Sequence, residues 1–77
     1  MKTKLIQAVA LTIRHFRKSC DMSQEDLAYK AGLDRTYISG IERGVRNITL
    51  DSLEKIIDAL SVDAQTFFAH VTKLAND

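Results

Sequence analysis

The chain has 77 residues, no proline and a formal net charge of +1, and 45% of its residues are hydrophobic. This length suffices for one compact domain over residues 1–77, and the lack of proline favours helices over a turn-rich β fold. No apolar run approaches the ~20 residues that cross a membrane. A signal peptide needs a continuous apolar stretch, but basic residues interrupt the first one here. We therefore expect no membrane partner.

Charge is distributed unevenly along the chain. Residues 1–47 carry nine basic and five acidic side chains, a balance of +4, whereas residues 48–77 carry two basic and five acidic side chains, a balance of −3. No acidic residue occurs in the first twenty positions. This asymmetry predicts an N-terminal surface that faces a polyanion and a C-terminal part turned away from it.

The cysteine and histidine content excludes several chemistries. Cys20 has no second cysteine to pair with, which predicts a reducing, cytoplasmic location and a thiol packed in the core. A redox sensor or an intermolecular thiol is the alternative for this residue. His15 and His70 are 55 residues apart and belong to no zinc, nucleophile or phosphate-loop signature. The sequence therefore predicts a protein that is not an enzyme and that binds no metal or cofactor.

Helical periodicity interrupted by short turns predicts five helices. The first, roughly residues 4–19, has one apolar stripe with steps of three and four: Ile6, Val9, Ile13, Phe16 and Cys20. Off this stripe lie Lys4, Ala8, Leu11, Thr12 and His15.

Capping signals place the second and third helices. Ser23 and Asp26 have capping-box spacing at the start of a helix that ends near Gly32. Asp34 is a candidate N-cap for a third helix over about 35–42, and Gly44 ends it.

Two further helices complete the predicted all-α fold of five short helices. Thr49 caps the fourth, whose expected apolar stripe is Leu50, Leu53, Ile56, Ile57 and Leu60. After a break at residues 61–63, a fifth helix over about 64–74 carries Phe67, Phe68, Val71 and Leu74.

Residues 23–42 (SQEDLAYKAGLDRTYISGIE) have the pattern of two short helices joined by a tight turn. Two helices that cross steeply need a small residue such as Ala28 where they approach, and a glycine such as Gly32 where the chain reverses. This pattern predicts a helix-turn-helix motif.

The chain resembles the Cro/C1-type helix-turn-helix family of phage repressors and bacterial regulators over about residues 6–68, and its DRTYISGIERG stretch is similar to that of restriction–modification controller proteins. The resemblance implies a lambda-repressor-like fold and a transcriptional repressor or activator. It also implies a homodimer on a two-fold-symmetric, double-stranded DNA operator, with two dimers on adjacent sites. An antitoxin whose main partner is a toxin is the alternative.

Within this resemblance, the free face of the third helix is expected to contact base edges through Arg35, Thr36, Tyr37 and Gly40. Arg35 could instead be a solvated charge, Tyr37 a packing residue and Gly40 a point of close packing against another helix. The candidate phosphate contacts are Gln24, Ser39, Arg43, Arg46 and Asn47.

Three further roles concern the rest of the chain. Glu42 lies where the helix dipole disfavours an acid, and the resemblance implies that it pairs with Arg17. The candidate dimer residues on the fifth helix are Phe68, Val71 and Leu74, which could otherwise pack within the monomer. Glu25 either complements the dipole of the second helix or contacts the sigma subunit of RNA polymerase, as the resemblance to phage activators implies.

Overall fold

In a computed structural model, which describes residues 4–76, the chain folds into five α-helices and no strand within that range. They are α1 (Leu5–Ser19), α2 (Gln24–Ala31), α3 (Arg35–Glu42), α4 (Leu50–Leu60) and α5 (Ala64–Ala75). The predicted all-α class and the order of its helices are confirmed. No helix in this range is both long and apolar enough to cross a bilayer.

Four of the five helices begin at a residue whose side chain accepts a hydrogen bond from the first turn. Ser23 and Asp26 form the reciprocal capping box predicted for α2. The backbone N–H of Ser23 donates to the Asp26 carboxylate and lowers the pKa of that carboxyl, which favours its ionised form. Asp34 and Thr49 cap α3 and α4 as predicted, and Asp63 caps α5.

Helix α1 is the centre of the packing, since α3, α4 and α5 all lie against it while α2 packs on α3 and α4. Burying a large aliphatic or aromatic side chain stabilises a fold by about 1.5–3 kcal/mol. The fully buried apolar side chains include Ile13, Leu27, Ile38, Ile56 and Phe67.

Four expectations about burial are wrong, and tertiary packing explains each. Ala8 and Thr12 are fully buried because α1 is covered by three helices, so its buried arc is wider than one stripe. Cys20 is exposed because it lies after the last turn of α1. Leu50 is 84% exposed because it is the first residue of α4 and lies at the rim of an open groove.

Candidate nucleic-acid interface

The turn between α2 and α3 fixes the direction in which α3 leaves the domain. Gly32 has φ +69°, a left-handed conformation that suits glycine, and the N–H of Leu33 donates to the carbonyl of Ala28 over 2.9 Å. Ala28, the small residue predicted for the approach of the two helices, is buried. Asp34 then accepts from the backbone N–H of Thr36 over 2.7 Å and sets the first turn of α3.

Helix α3 has one buried face and one exposed face. Ile38 and Ile41 anchor the inner face in the core, with exposures of 0% and 2%. Arg35 and Thr36 are exposed in the first turn, where the sequence predicts base contacts. Tyr37 is half-buried and packs against the core, as the alternative of a packing residue predicts. Its predicted contact with a base edge stays a prediction.

Gly40 lies beneath the side chain of Arg46 rather than open to solvent. It is buried, and a Cβ added there would lie 3.2 Å from the Cβ of Arg46. Because an interior helical glycine costs about 1 kcal/mol relative to alanine, this close approach is a physical reason for its presence. The position differs from the expected one, a glycine open to the groove floor, and the close neighbour is a loop residue rather than another helix.

The candidate phosphate contacts differ in how free their side chains are. Arg43, Arg46 and Asn47 are exposed, and Ser39 is half-buried. The side-chain amide of Gln24 donates to Glu42 Oε1 over 3.2 Å, so this residue has a structural contact that its sequence position did not reveal.

The predicted pair of Arg17 and Glu42 is present and buried, with exposures of 8% and 9%. Arg17 Nε donates to Glu42 Oε2 over 2.7 Å, and Nη2 donates to Oε1 over 3.0 Å. Nη1 donates to the carbonyl of Met22 over 2.7 Å, in the segment between α1 and α2. A two-point, charge-assisted contact of this kind fixes the end of α3 in angle as well as distance.

The candidate dimer residues on α5 are not equivalent. Val71 is 2% exposed and belongs to the core, so its assignment to a partner surface is wrong. It lies four residues after Phe67 and therefore on the same, inward face of α5. Leu74 is half-buried, whereas Phe68 is 42% exposed.

Phe68 instead borders an apolar groove that the sequence did not predict. Its rim also includes Leu5 at 65% exposure and Leu50 at 84%, from the first turns of α1 and α4. Leu50 was predicted to lie in the apolar stripe of α4 and Leu5 was given no role, so only the assembled fold shows that they form one surface with Phe68.

The exposed face of α2 carries Glu25, which borders a groove together with Met22 and Tyr29. Tyr29, a residue without a predicted role, is 88% exposed. Asp26 also borders this groove, but its carboxylate serves the capping box. Glu25 is thus the acid of this helix whose carboxylate the cap does not use.

A second polar contact joins α1 to α5. The hydroxyl of Thr12 donates to the carbonyl of Ala8 over 2.8 Å and lies 2.9 Å from Nδ1 of His70. The rings of His15 and His70 stack with their centroids 4.4 Å apart. Burial lowers the pKa of His70, and the nearby His15 and Lys73 lower it further.

Helix α3 is capped at its start, anchored by the preceding turn and held by a buried ion pair. Its exposed face carries cationic and hydroxyl side chains. These features define a helix-turn-helix protein of the nucleic-acid-binding class. A family model described as helix-turn-helix matches residues 13–67. The chain belongs to this helix-turn-helix family.

Similar proteins include restriction–modification control proteins. Control protein C.BamHI of Bacillus amyloliquefaciens is 49% identical over 61 residues, covering 78% of this chain and 75% of that protein. Control protein C.MunI of Mycoplasma sp is 42% identical over 57 residues, covering 74% of this chain and 77% of that protein.

A solved structure is similar over nearly its whole length. It is the restriction–modification controller protein C.Esp1396I as a tetramer in complex with its natural 35 base-pair operator. It has a TM-score of 0.91 and 46% identity, and the match covers 99% of this chain and 100% of that chain. The resemblance inferred from the sequence is confirmed.

Proposed function

We propose that this chain is a sequence-specific transcriptional regulator of the restriction–modification controller type, which acts in the bacterial cytoplasm as a homodimer on a two-fold-symmetric DNA operator. The observation that carries the proposal is the exposed first turn of α3, with Arg35 and Thr36 free of other duties in the fold. The similarity to C.Esp1396I, solved as a tetramer on its operator, supports it.

In this proposal, the two ends of α3 have different tasks. Arg35 can donate two hydrogen bonds to O6 and N7 of a guanine in the major groove, and Thr36 can contact a base edge or a thymine methyl. Arg43, Arg46 and Asn47 follow at the other end of the helix and in the next loop, where they can bind phosphates and fix the register.

Titration of DNA from upstream of the protein's own gene tests this assignment. Arg35→Ala should cost about 1–3 kcal/mol on the true operator and little on random DNA, because it removes a base contact. Arg46→Ala should weaken binding to both and reduce the salt slope by about one phosphate contact. Lys73→Ala, on α5, is the control cation and should change neither.

Equal loss on operator and random DNA for Arg35→Ala would contradict its base-contacting role. Failure of the wild-type protein to prefer any sequence from that region would contradict the proposed function itself.

The homodimer is assigned to the apolar groove bordered by Leu5, Leu50 and Phe68. A single recognition helix contacts too few base pairs for useful specificity, and two-fold pairing doubles the site. Large apolar side chains exposed together mark an association surface, and a second copy presents the same surface.

Sedimentation of matched leucine variants tests this interface. Leu50→Asp should shift the equilibrium from dimer towards monomer, because it places a charge within the apolar contact. Leu11→Asp is the control, since Leu11 is 49% exposed but lies outside this groove. Equal effects of the two substitutions, or a monomeric wild type at high micromolar concentration, would contradict the assignment.

Activation is assigned to the exposed face of α2, with Glu25 contacting a basic surface of the RNA polymerase sigma subunit. Glu25→Gln should retain operator binding and reduce activation in a purified transcription assay. Glu54→Gln, an exposed acid on α4, is the matched control. Unchanged activation by Glu25→Gln at full operator occupancy would leave only the dipole role for this residue.

A further inference from the structure

We propose that Gly40 and Tyr37 form a seat that holds the Arg46 side chain in a fixed position beside α3, so that Gly40 is a positioning residue for DNA binding. The inference rests on the proposed function and specifies how one of its cations is presented. It differs from a glycine that lets α3 approach the groove floor, because the neighbour that needs the space belongs to the protein.

The space above Gly40 is filled by the stem of Arg46. A Cβ at position 40 would lie 3.2 Å from Cβ of Arg46, 3.4 Å from Cδ and 3.6 Å from Cγ. The stem therefore covers position 40, and Gly40 is buried. The positive-φ glycines of residues 4–76 are Gly32 and Gly44, so the backbone conformation of Gly40 gives no separate reason for a glycine.

The loop after α3 is tied down at the same place. Gly44 takes φ +72° and its N–H donates to the carbonyl of Ile41 over 2.9 Å. The N–H of Val45 then donates to the carbonyl of Gly40 itself over 3.1 Å. These two bonds fold the backbone before Arg46 onto α3, so the direction of its side chain is set by the turn.

Tyr37 supplies the second half of the seat. It lies three residues before Gly40 and hence on the same face of α3. The guanidinium carbon of Arg46 is 5.4 Å from the centroid of the Tyr37 ring, within the range of a cation–π contact. The ring itself packs against the core, which restricts the movement of the surface that the guanidinium contacts.

The seated cation remains available to an anion. Arg46 is exposed, and the salt bridges found within residues 4–76 involve other side chains. An arginine loses considerable side-chain freedom when it binds a phosphate, and a seat imposes part of that loss before DNA arrives. Gly40 and Tyr37 therefore raise affinity through Arg46 without needing to touch DNA.

A double-mutant cycle with Gly40→Ala and Arg46→Ala tests the proposal. Gly40→Ala alone should weaken binding to operator and to random DNA by on the order of threefold to tenfold and lower the salt slope, as expected when one phosphate contact is impaired. In the Arg46→Ala background it should cause no further loss. Equal losses in both backgrounds would overturn the proposal and favour close approach of α3 to the groove floor.

Measurement without DNA separates this inference from the proposed function. In the free protein, the side-chain protons of Arg46 should show a ring-current shift from Tyr37, which Gly40→Ala reduces and Tyr37→Phe retains. Tyr37→Leu should abolish the shift. A wild-type Arg46 without such a shift would overturn the seat even if the protein binds its operator, and melting curves of each variant check that the fold is intact.

Discussion

Helix α1 makes two polar contacts of different character, a buried, charged one to α3 and a partly buried, neutral one to α5. Towards α3, the three nitrogens of the Arg17 guanidinium are all engaged, two with Glu42 and one with the Met22 carbonyl. Towards α5, a neutral Thr12 hydroxyl faces His70, whose ring stacks on His15.

The difference shows that a small domain can hold its proposed DNA-binding surface and its proposed dimer surface by different interactions. The recognition helix is oriented by a charged, two-point contact that leaves little angular freedom. Helix α5, which carries Phe68 to the proposed dimer surface, is held mainly by apolar packing plus a contact that includes a titratable ring. The two surfaces should therefore respond differently to mutation and to pH.

The largest expected effect comes from breaking the charged contact. Glu42→Ala leaves Arg17 buried without its partner and should destabilise the fold by about 3–5 kcal/mol. DNA affinity should fall as well, because the end of α3 loses its anchor. Thermal unfolding and operator titration below the new melting temperature measure both effects, with Glu54→Ala as the exposed control. If neither quantity changes, α3 is positioned by packing alone.

A smaller effect is expected at the neutral contact. Since the Thr12 hydroxyl donates to Ala8, the Nδ1–H of His70 is assigned as the donor to Thr12, and Thr12→Val would leave it without an acceptor. The cost should be about 1–2 kcal/mol, because His70 is only half-buried and water can replace part of the bond. Chemical denaturation gives this value, and Thr72→Val, at an exposed position of α5, is the control. A loss as large as that of Glu42→Ala would remove the distinction between the two contacts.

The smallest effect is a pH dependence confined to the α5 side. Burial holds the pKa of His70 below the ordinary value of a histidine, so the unfolded chain binds a proton more readily than the folded one. Stability from this group is complete above the unfolded pKa and is lost progressively as pH falls below it, levelling off beneath the folded pKa. Unfolding measured between about pH 8 and pH 5 should show this loss.

Two histidine variants check its origin. His70→Gln should abolish this part of the pH dependence. His15→Gln should flatten it only in part, because burial, the larger cause of the shift, remains. An unchanged slope in His70→Gln would show that another group produces it.

The features that the sequence predicts well are local ones. Helix starts at Ser23, Asp34 and Thr49 depend on a side chain and a backbone N–H two or three residues away, so the sequence contains all the required information. The family resemblance added the pairing of Arg17 with Glu42, which joins residues 25 positions apart.

The failures concern how helices face one another. Periodicity marks one apolar stripe, but α1 is covered by three neighbours, which buries Ala8 and Thr12 as well. Val71 and Phe68 are both apolar residues of α5, and the sequence does not indicate which is buried. Only the packing of α5 shows that Val71 is buried and Phe68 is exposed. The space over Gly40 depends on a loop residue six positions away, and no helical pattern contains that information.

The N-cap of α3 affects how readily such a protein acquires a new target. Asp34 fixes the helix start through the backbone N–H of Thr36, not through the side chain of Thr36 or of its neighbour Arg35. Both side chains can therefore be exchanged while the helix keeps its start, and substitutions at exposed positions usually change stability by less than about 0.5 kcal/mol. Under the proposed function, the residues that contact bases are therefore adjacent to, but separate from, the residue that starts the helix, so that duplicated copies of such a gene could diverge to regulate different promoters through very few substitutions.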